Sequence, residues 1–212
     1  MPELSREIAS RLRTGAQELS LALSSHQETQ LLEYLALLVK WNRAYNLTAV
    51  RDPQEMVIRH LLDSLAIARW VQGKRLIDVG TGAGLPGVPL AILYPERAIH
   101  LLDSNGKKTR FLFQVKTSLG LDNMSVHHSR VESYQPDQLF EGILSRAFAS
   151  MQDMVQGCQH LLSATGCFFA MKGSYPTQEL AAVEATCLVQ AIHVIAVPGL
   201  AEQRHLVQMT LR

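Results

Sequence analysis

Residues 75–93 combine a short apolar strand, a glycine-rich turn and an apolar helix in the sequence RLIDVGTGAGLPGVPLAIL. This order is typical of the first βα unit of a parallel α/β sheet that binds a nucleotide at the carboxyl ends of its strands. Gly80, Gly82 and Gly84 have access to backbone conformations that are closed to other residues, and their missing side chains allow a ligand close to the main chain. The segment therefore predicts a ligand site made largely of backbone.

The rest of the chain after Arg75 alternates short apolar runs with helical periodicity, which indicates an α/β fold with a mostly parallel sheet covered on both faces. Strands are predicted over 75–79, 98–103, 123–128, 140–145, 166–171, 191–197 and 205–211. Helices are predicted over 86–94, 105–119, 150–163 and 176–189. The short connection 198–204 leaves no room for a crossover helix, so the last strand should be antiparallel.

Residues 1–73 show helical spacing and no strand pattern. Helices are predicted over 3–23 and 27–42, and a third begins at Asp52 as N-cap, with Pro53 in its first turn, and ends near Gly73. We expect these residues to form an N-terminal helical cap, and residues 74–212 to form the ligand-binding domain, both within one compact unit.

Composition limits the class of protein. The 212 residues are 47% hydrophobic and carry a formal net charge of +1, so a full core is possible and the overall charge neither requires nor excludes a nucleic-acid partner. Cys158, Cys167 and Cys187 show no metal-binding spacing, and we expect free core thiols and no metal. The sequence contains no long uncharged apolar stretch, so we expect a cytoplasmic monomer with no membrane contact.

Two cofactors must be weighed for the glycine turn. Gly82, Gly84 and Gly87 match the G-x-G-x-x-G pattern of dinucleotide-binding dehydrogenases, but a lone match is weak. Asp78, next to the turn, would repel a pyrophosphate and would suit a ligand with an ammonium group. S-adenosyl-L-methionine carries an ammonium and a sulfonium and no phosphate, and it is therefore the favoured cofactor.

The carboxyl ends of the next strands supply further candidates. Asp103 lies about 20 residues past the glycines, where a carboxylate reaches a ribose diol, although it can also be the N-cap of the following helix. Val131 and Glu132 follow the third strand, where an adenine would lie, but Val131 in the core and Glu132 at a solvated helix start are equally open. Arg146 follows the fourth strand beside the reacting end of the ligand, or forms a salt bridge with Glu132 or Asp78.

Several stretches together resemble the glucose-inhibited division protein B family, the guanine-N7 methyltransferases of the bacterial small ribosomal subunit. The matching stretches are KWNRAYNLTAV (40–50), RHLLDSL (59–65), LIDVGTGAGLPGVPLAI (76–92), LLDSNGKKTRFL (101–112), SRAFAS (145–150), MKG (171–173) and RHLV (204–207). The resemblance implies a class I S-adenosylmethionine methyltransferase fold with a Rossmann-like sheet. It also implies cofactor contacts at Gly80, Leu85, Val131, Glu132 and Arg146, and a substrate guanine in 16S rRNA.

The residues agree with such a reaction. Guanine N7 carries a lone pair and no proton at neutral pH, so methyl transfer requires no general base, and the sequence shows no evident acid–base constellation. We therefore expect Arg146 as the catalytic candidate, through alignment, and Arg130, Lys172, Arg204 and His205 as RNA contacts. Two alternatives stay open: a methyltransferase for a small metabolite, and a ribosome-assembly factor that senses S-adenosylmethionine without catalysis.

Overall fold

The computed structural model describes residues 6–146, 148 and 150–212. Its centre is a seven-stranded sheet in the order β3-β2-β1-β4-β5-β7-β6. The strands are β1 (Arg75–Val79), β2 (Ala98–Asp103), β3 (Met124–His128), β4 (Phe140–Ser145), β5 (Leu162–Lys172), β6 (Cys187–Val194) and β7 (His205–Leu211). Strands β1 to β5 pair in parallel, whereas β7 runs antiparallel to both β5 and β6. The predicted α/β class and the antiparallel last strand are confirmed.

The helices cover the sheet and form the N-terminal region. They are α1 (Arg6–Glu18), α2 (Ser25–Tyr45), α3 (Pro53–Met56), α4 (Asp63–Leu65), α5 (Gly87–Leu93), α6 (Gly106–Leu119), α7 (Met151–Cys158) and α8 (Thr177–Val183). The predicted third N-terminal helix begins as expected after Asp52 but ends at Leu65 rather than near Gly73, and a separate 3₁₀ turn follows at Ala68–Trp70. Within it, residues Val57–Leu62 between α3 and α4 adopt a π-helical turn. Such turns insert one extra residue and rotate the following side chains, and they are frequent at functional sites.

Two predicted helices end earlier in the structure than predicted. In the helix predicted over 150–163, the α-helix ends at Cys158 and a 3₁₀ turn continues over Gln159–Leu161, because β5 begins at Leu162 and pairs with Phe140. The prediction 176–189 ends at Val183, and β6 occupies Cys187–Val194 rather than 191–197. The reason is tertiary: β6 pairs along its length with β7, and this pairing outweighs the helical spacing of the apolar residues.

Local sequence explains where the longer helices begin and end. Ser24 and Gln27 form a reciprocal capping box at the start of α2, and Asn46 ends that helix in the left-handed conformation. Helix α6 is capped by Asn105, whose side chain accepts from the Lys107 N–H, and it ends at Gly120 with φ of 64°. The alternative role of Asp103 as this N-cap is therefore wrong.

The N-terminal helices share a core with the sheet. One continuous apolar cluster includes Leu12 and Leu35 from the helices and Leu76 and Leu206 from the strands. The buried Tyr34 hydroxyl donates to the Ala83 carbonyl at 2.7 Å, so α2 supports the glycine turn directly. Among residues 6–146, 148 and 150–212, no helix is long and apolar enough to cross a membrane.

Candidate functional site

The glycine turn adopts the backbone conformation that its sequence predicts. Gly80, Gly82 and Gly84 have φ angles of 67°, 62° and 94°, values that L side chains rarely adopt. The N–H groups of Gly80 and Thr81 donate to the Leu102 carbonyl at 2.9 and 3.2 Å, which fixes the turn against β2. A Cβ built at Gly82 would meet nothing closer than 3.9 Å, so this part of the turn borders open space.

Asp78 lies beneath the turn and is wholly buried. Its Oδ2 accepts from the Thr81 hydroxyl at 2.7 Å and from the Gly87 N–H at 2.9 Å. Its Oδ1 is buried and has no hydrogen-bond partner among the described residues. Burial raises the pKa of this carboxyl to about 6, although the two hydrogen bonds and Arg146 favour the ionised form. A buried acceptor without a partner is unfavourable, and a ligand or water donor would relieve it.

Asp103 joins the second strand to the same turn. Its Oδ2 accepts from the Gly82 N–H at 2.9 Å, its Oδ1 accepts from the Asn105 N–H at 2.8 Å, and Lys108 lies 3.7 Å away. The carboxylate therefore links the carboxyl ends of β1 and β2. It also lines an open cleft of about 310 Å³.

That first cleft contains the residues predicted for the nucleoside. It is lined by Val79, Gly80, Leu102, Asp103, Ser104, Lys108, Ser129, Arg130, Val131, Glu132 and Phe148. Val131 and Glu132 belong to a 3₁₀ turn, with the Val131 side chain half-buried against the core and the Glu132 side chain exposed. The structure thus brings Gly80, Asp103, Val131 and Glu132 to one cavity, and the exposed Arg130 stands at its edge.

A second cleft of about 190 Å³ also borders Gly80. It is lined by Leu47, Thr48, His60, Gly80, Thr81, Gly82, Ala83, Leu85 and Arg146. His60 comes from the π-helical turn and its Nε2 lies 2.8 Å from the Thr48 hydroxyl. Burial and the neighbouring cations Arg146 and Arg59 lower the pKa of His60, so its ring is neutral at pH 7.

A third cleft of about 320 Å³ opens beyond Arg146 and is lined by Val50, Arg59, Asp63, Arg146, Met171, Lys172, Gly173 and Arg204. Gly80 borders the first and second clefts, and Arg146 borders the second and third. The three cavities therefore form a series along the carboxyl ends of β1, β2, β4 and β5.

Asp63 is the residue that our sequence analysis missed. Its carboxylate is almost fully buried, with Oδ2 2.9 Å from Arg146 Nη1 and Oδ1 3.1 Å from Arg204 Nε. The expected alternative partners of Arg146, Glu132 and Asp78, do not form this salt bridge. A carboxylate on the inner face of an otherwise apolar helical segment was the available indication, because a buried charge requires partners.

The four residues predicted to contact RNA lie at different places in the structure. The Lys172 ammonium lies 2.7 Å from Glu179, and both Lys172 and Arg204 line the third cleft. His205 is buried, and its Nδ1 lies 2.9 Å from the Gly173 carbonyl. The structure therefore places Arg204 and Lys172 at a cavity, Arg130 at a different cavity, and His205 beneath the end of β5.

The seven-stranded sheet, its antiparallel last strand and the glycine turn at its ligand edge define a class I S-adenosylmethionine-dependent methyltransferase. Solved structures show the same fold. A glycopeptide N-methyltransferase, MtfA, complexed with S-adenosylmethionine aligns with a TM-score of 0.61 at 9% identity, over 72% of this chain and 87% of that chain. A methyltransferase from Thiobacillus denitrificans in complex with S-adenosyl-L-homocysteine aligns with a TM-score of 0.53 at 12% identity, over 72% and 91%.

Sequence similarity narrows the class to one family. The GidB family model, described as rRNA small subunit methyltransferase G, matches residues 27–207. Ribosomal RNA small subunit methyltransferase G of Ectopseudomonas mendocina is 58% identical over 200 residues, covering 93% of this chain and 94% of the relative. The protein of that name from Pseudomonas syringae pv. syringae is 56% identical over 198 residues, covering 93% and 92%. The chain belongs to the GidB family, which confirms the resemblance.

Proposed function

We propose that this chain is an enzyme that transfers the methyl group of S-adenosyl-L-methionine to N7 of a guanine in 16S rRNA of the small ribosomal subunit. The observation that carries this proposal is the series of three clefts. The first suits a nucleoside, the second borders the glycine turn, and the third is surrounded by cationic side chains. Family membership and the names of the relatives support the same reaction and the same RNA.

The residues at the glycine turn fit the cofactor. Asp78 Oδ1 is a buried acceptor without a hydrogen-bond partner in the part of the chain that the structure describes, and Gly82 exposes backbone to open space. We assign the ribose to Asp103, the adenine to Val131 and Glu132, and the methionine end to Gly80, Gly82, Leu85 and Arg146, with Asp78 facing the ammonium group through the turn. When bound, S-adenosylmethionine supplies an electrophilic methyl group on a sulfonium.

The chain's contribution to the reaction is alignment and exclusion of water. Guanine N7 presents a lone pair and no proton at neutral pH, so a nearby base has no proton to remove. His60 lines the second cleft in its neutral form, with Nε2 within hydrogen-bond distance of the Thr48 hydroxyl, and Asp78 is covered by the turn. The proposed reaction requires neither of them as a base. Arg146, which borders both the second and the third cleft, is placed to orient the base against the methyl group.

The third cleft and Arg130 supply the surface for RNA. N7 lies on the major-groove edge, which A-form RNA hides in a deep and narrow groove, so the substrate nucleotide must be in a loop or a locally opened helix. Lys172 and Arg204 would contact its phosphates, Arg130 would contact the adjoining backbone, and His205 would support the cleft from below. Because its substrate is ribosomal, we place the enzyme in the cytoplasm, acting as a monomer.

The direct test uses purified protein, labelled S-adenosylmethionine and small subunits from a strain that lacks the enzyme. We expect label at N7 of a single guanine, located by cleavage at the modified nucleotide. Label on a small metabolite instead would favour a metabolite methyltransferase. The absence of any label, together with measurable cofactor binding, would favour the sensing role.

Two sets of variants separate catalysis from binding. Arg146→Ala should abolish methyl transfer and weaken S-adenosylmethionine binding only in part, because Gly80, Gly82 and Leu85 still border the same cleft. A pure sensor would show no transfer in the wild type either. The pair Arg204→Ala with Lys172→Ala should weaken RNA binding and spare cofactor affinity. An equal loss of both affinities would indicate a folding defect.

A further inference from the structure

The third cleft is lined by cations but carries almost no net charge. Arg59, Arg146, Lys172 and Arg204 all border it. Each of these four side chains is within salt-bridge distance of a carboxylate, and the carboxylates are Glu55, Asp63, Glu179 and Glu202. A phosphate that enters this cleft therefore meets cations whose charge is already balanced by the protein itself.

The four carboxylates differ in how firmly they are held. Asp63 is 3% exposed and joins two arginines, so it remains in place. Glu179 accepts at 2.7 Å from the N–H of Met151, at the start of α7, in addition to pairing with Lys172. Both carboxylates are thus part of the folded framework, because removing either would leave buried or helix-terminal groups without a partner.

Glu202 is held only at the surface. Its side chain is 49% exposed and its Oε1 lies 2.7 Å from Nη2 of Arg59. It stands in the loop between β6 and β7, 143 positions from its partner. Its pKa is lowered by this hydrogen bond with Arg59. Exposed pairs of this kind exchange readily, because water replaces each partner at little cost.

Arg59 does not depend on Glu202 for its orientation. Glu55, one helical turn earlier, accepts from Arg59 Nε at 2.9 Å and directs the guanidinium along the helix. Glu202 takes the outer Nη2 donor. A guanidinium presents its donors in a planar fork that matches a phosphate as well as a carboxylate. Glu202 therefore occupies the position that an anionic oxygen of RNA would take on Arg59.

We propose that Glu202 is a specificity-determining residue that occupies a phosphodiester position on Arg59 in the free enzyme and is exchanged for an RNA phosphate when substrate binds. This inference rests on the proposed RNA substrate. The exchange weakens binding of a phosphate at Arg59, because that contact must displace the Glu202 carboxylate, whereas Asp63 and Glu179 stay beside the other cations. An RNA that fills the whole cleft makes further contacts, and these compensate for the displacement of Glu202 from Arg59. RNA that lacks the shape of the substrate makes fewer contacts, so Glu202 disfavours its binding.

The test measures affinity for a short single-stranded RNA of mixed sequence and for small ribosomal subunits, at about 0.1 M salt where screening is moderate. Glu202→Gln keeps the size of the side chain and removes its charge. We expect this variant to bind the short RNA about two- to fivefold more tightly than the wild type, the range expected for release of an exposed ion pair. Affinity for small subunits should rise less, so discrimination between the two RNAs should fall.

Two further variants identify the cause. Glu96→Gln changes the net charge by the same amount at an exposed residue that is paired with Arg97. Glu96 lies just before the start of β2, at the amino ends of the parallel strands and therefore at the end of the sheet opposite the clefts. We expect the RNA affinity of Glu96→Gln to equal that of the wild type within experimental error. The double variant Arg59→Gln with Glu202→Gln should not show the gain in RNA affinity, because the Arg59 guanidinium that Glu202→Gln frees is then absent.

Unchanged or weaker RNA binding by Glu202→Gln would overturn the proposal, as would an equal gain in Glu96→Gln or a gain that persists without Arg59. A thermal unfolding scan of each variant shows whether the loop remains folded. Failure of the proposed function looks different, since wild-type protein would then neither bind nor methylate small subunits. If the wild type methylates them and Glu202→Gln shows no gain, only the exchange is rejected.

Discussion

Asp63 and Arg146 are 83 positions apart in the chain, yet the Asp63 Oδ2 accepts a hydrogen bond from Arg146 Nη1 at 2.9 Å. The second oxygen of the same carboxylate accepts from Arg204. One buried carboxylate of the N-terminal helices therefore orients two arginines that come from the carboxyl end of β4 and the start of β7. This arrangement makes the N-terminal helices part of the site.

Asp63→Asn should lower the rate of methyl transfer about 10- to 100-fold, the size expected when a positioning contact near the reacting atoms is misplaced. The neutral amide cannot balance two guanidinium groups, so Arg146 and Arg204 should separate. Affinity for S-adenosylmethionine should fall much less than the rate, because Arg146 is only one of the groups assigned to the methionine end and the glycine turn is untouched. Steady-state kinetics and calorimetric titration of the cofactor measure the two effects.

Asp63→Glu supplies the control, because it retains the charge with a longer side chain and should recover part of the rate. The interpretation fails if Asp63→Asn loses cofactor affinity and rate in equal proportion, or if Asp63→Glu is no better than the amide.

Gly82→Ala should weaken S-adenosylmethionine binding about tenfold or more, a loss equivalent to about 1.4 kcal/mol. The new methyl group would project from φ of 62° into the open space of the turn, where we place the cofactor. Gly120 provides a matched control, because its φ is 64° and a Cβ there would meet nothing within 4 Å. Both substitutions should cost about 1–2 kcal/mol of stability through the left-handed backbone alone.

Calorimetric titration with S-adenosylmethionine and urea unfolding of the two variants separate these effects. Equal cofactor affinity of Gly82→Ala and Gly120→Ala would show that the cofactor does not approach Gly82.

The sequence predicts elements well where local residues decide them. The strand at 75–79 and the strand at 98–103 have the predicted bounds, because apolar runs end there at glycine or capping residues. The helix predicted over 176–189 is wrong in its second half, because β6 forms only when β7 pairs with it. The spacing of apolar residues within one segment does not show which distant strand will pair with it.

The candidate site also combines features that local sequence predicts with features that depend on contacts between distant segments. The sequence could predict that Gly80, Asp103, Val131 and Arg146 line neighbouring clefts, because the carboxyl ends of parallel strands meet at one end of a sheet. Asp63 could not be assigned, because its partners are 83 and 141 positions away and the π-helical turn decides which way its side chain faces. Packing of the N-terminal helices against the sheet had to be known first.

Asp78 should make cofactor binding depend on pH. Its pKa is raised to about 6 by burial, so the carboxyl is ionised at pH 7 and becomes protonated as the pH falls through 6. An ammonium group bound nearby would favour the ionised form. Affinity for S-adenosylmethionine should therefore fall below pH 6, by up to about tenfold per pH unit.

Asp78→Asn should bind the cofactor more weakly at pH 7 and show a flatter dependence between pH 7 and about 5. Calorimetric titrations of both proteins across this range test the assignment. Parallel pH profiles for the wild type and the amide would assign the dependence to another group.

A hydrogen-bonded pair of histidines should make the fold sensitive to acid. The ring centroids of His100 and His127 are 5.1 Å apart with an interplanar angle of 2°, and His100 Nδ1 lies 2.9 Å from His127 Nε2. Burial, with Arg75 nearby, lowers the pKa of His100 to about 4 and also lowers the pKa of His127. Because the unfolded chain binds the proton near pH 6.5, the stability that His100 contributes is complete above that pH and is lost as the pH falls towards 4.

The loss assigned to His100 should reach about 2 kcal/mol at pH 5. Urea unfolding of the wild type and of His100→Gln, at pH 7.5 and at about pH 5, measures the difference between the two proteins. Because both proteins contain Asp78, the comparison removes its contribution to the pH dependence of stability. The raised pKa of Asp78 makes that contribution opposite in sign to that of His100 over the same pH interval. We expect His100→Gln to be less stable than the wild type at pH 7.5, since it lacks the ring contact with Phe140, and to lose less stability on acidification. Equal losses in both proteins would mean that His100 is protonated as readily in the folded chain as in the unfolded one.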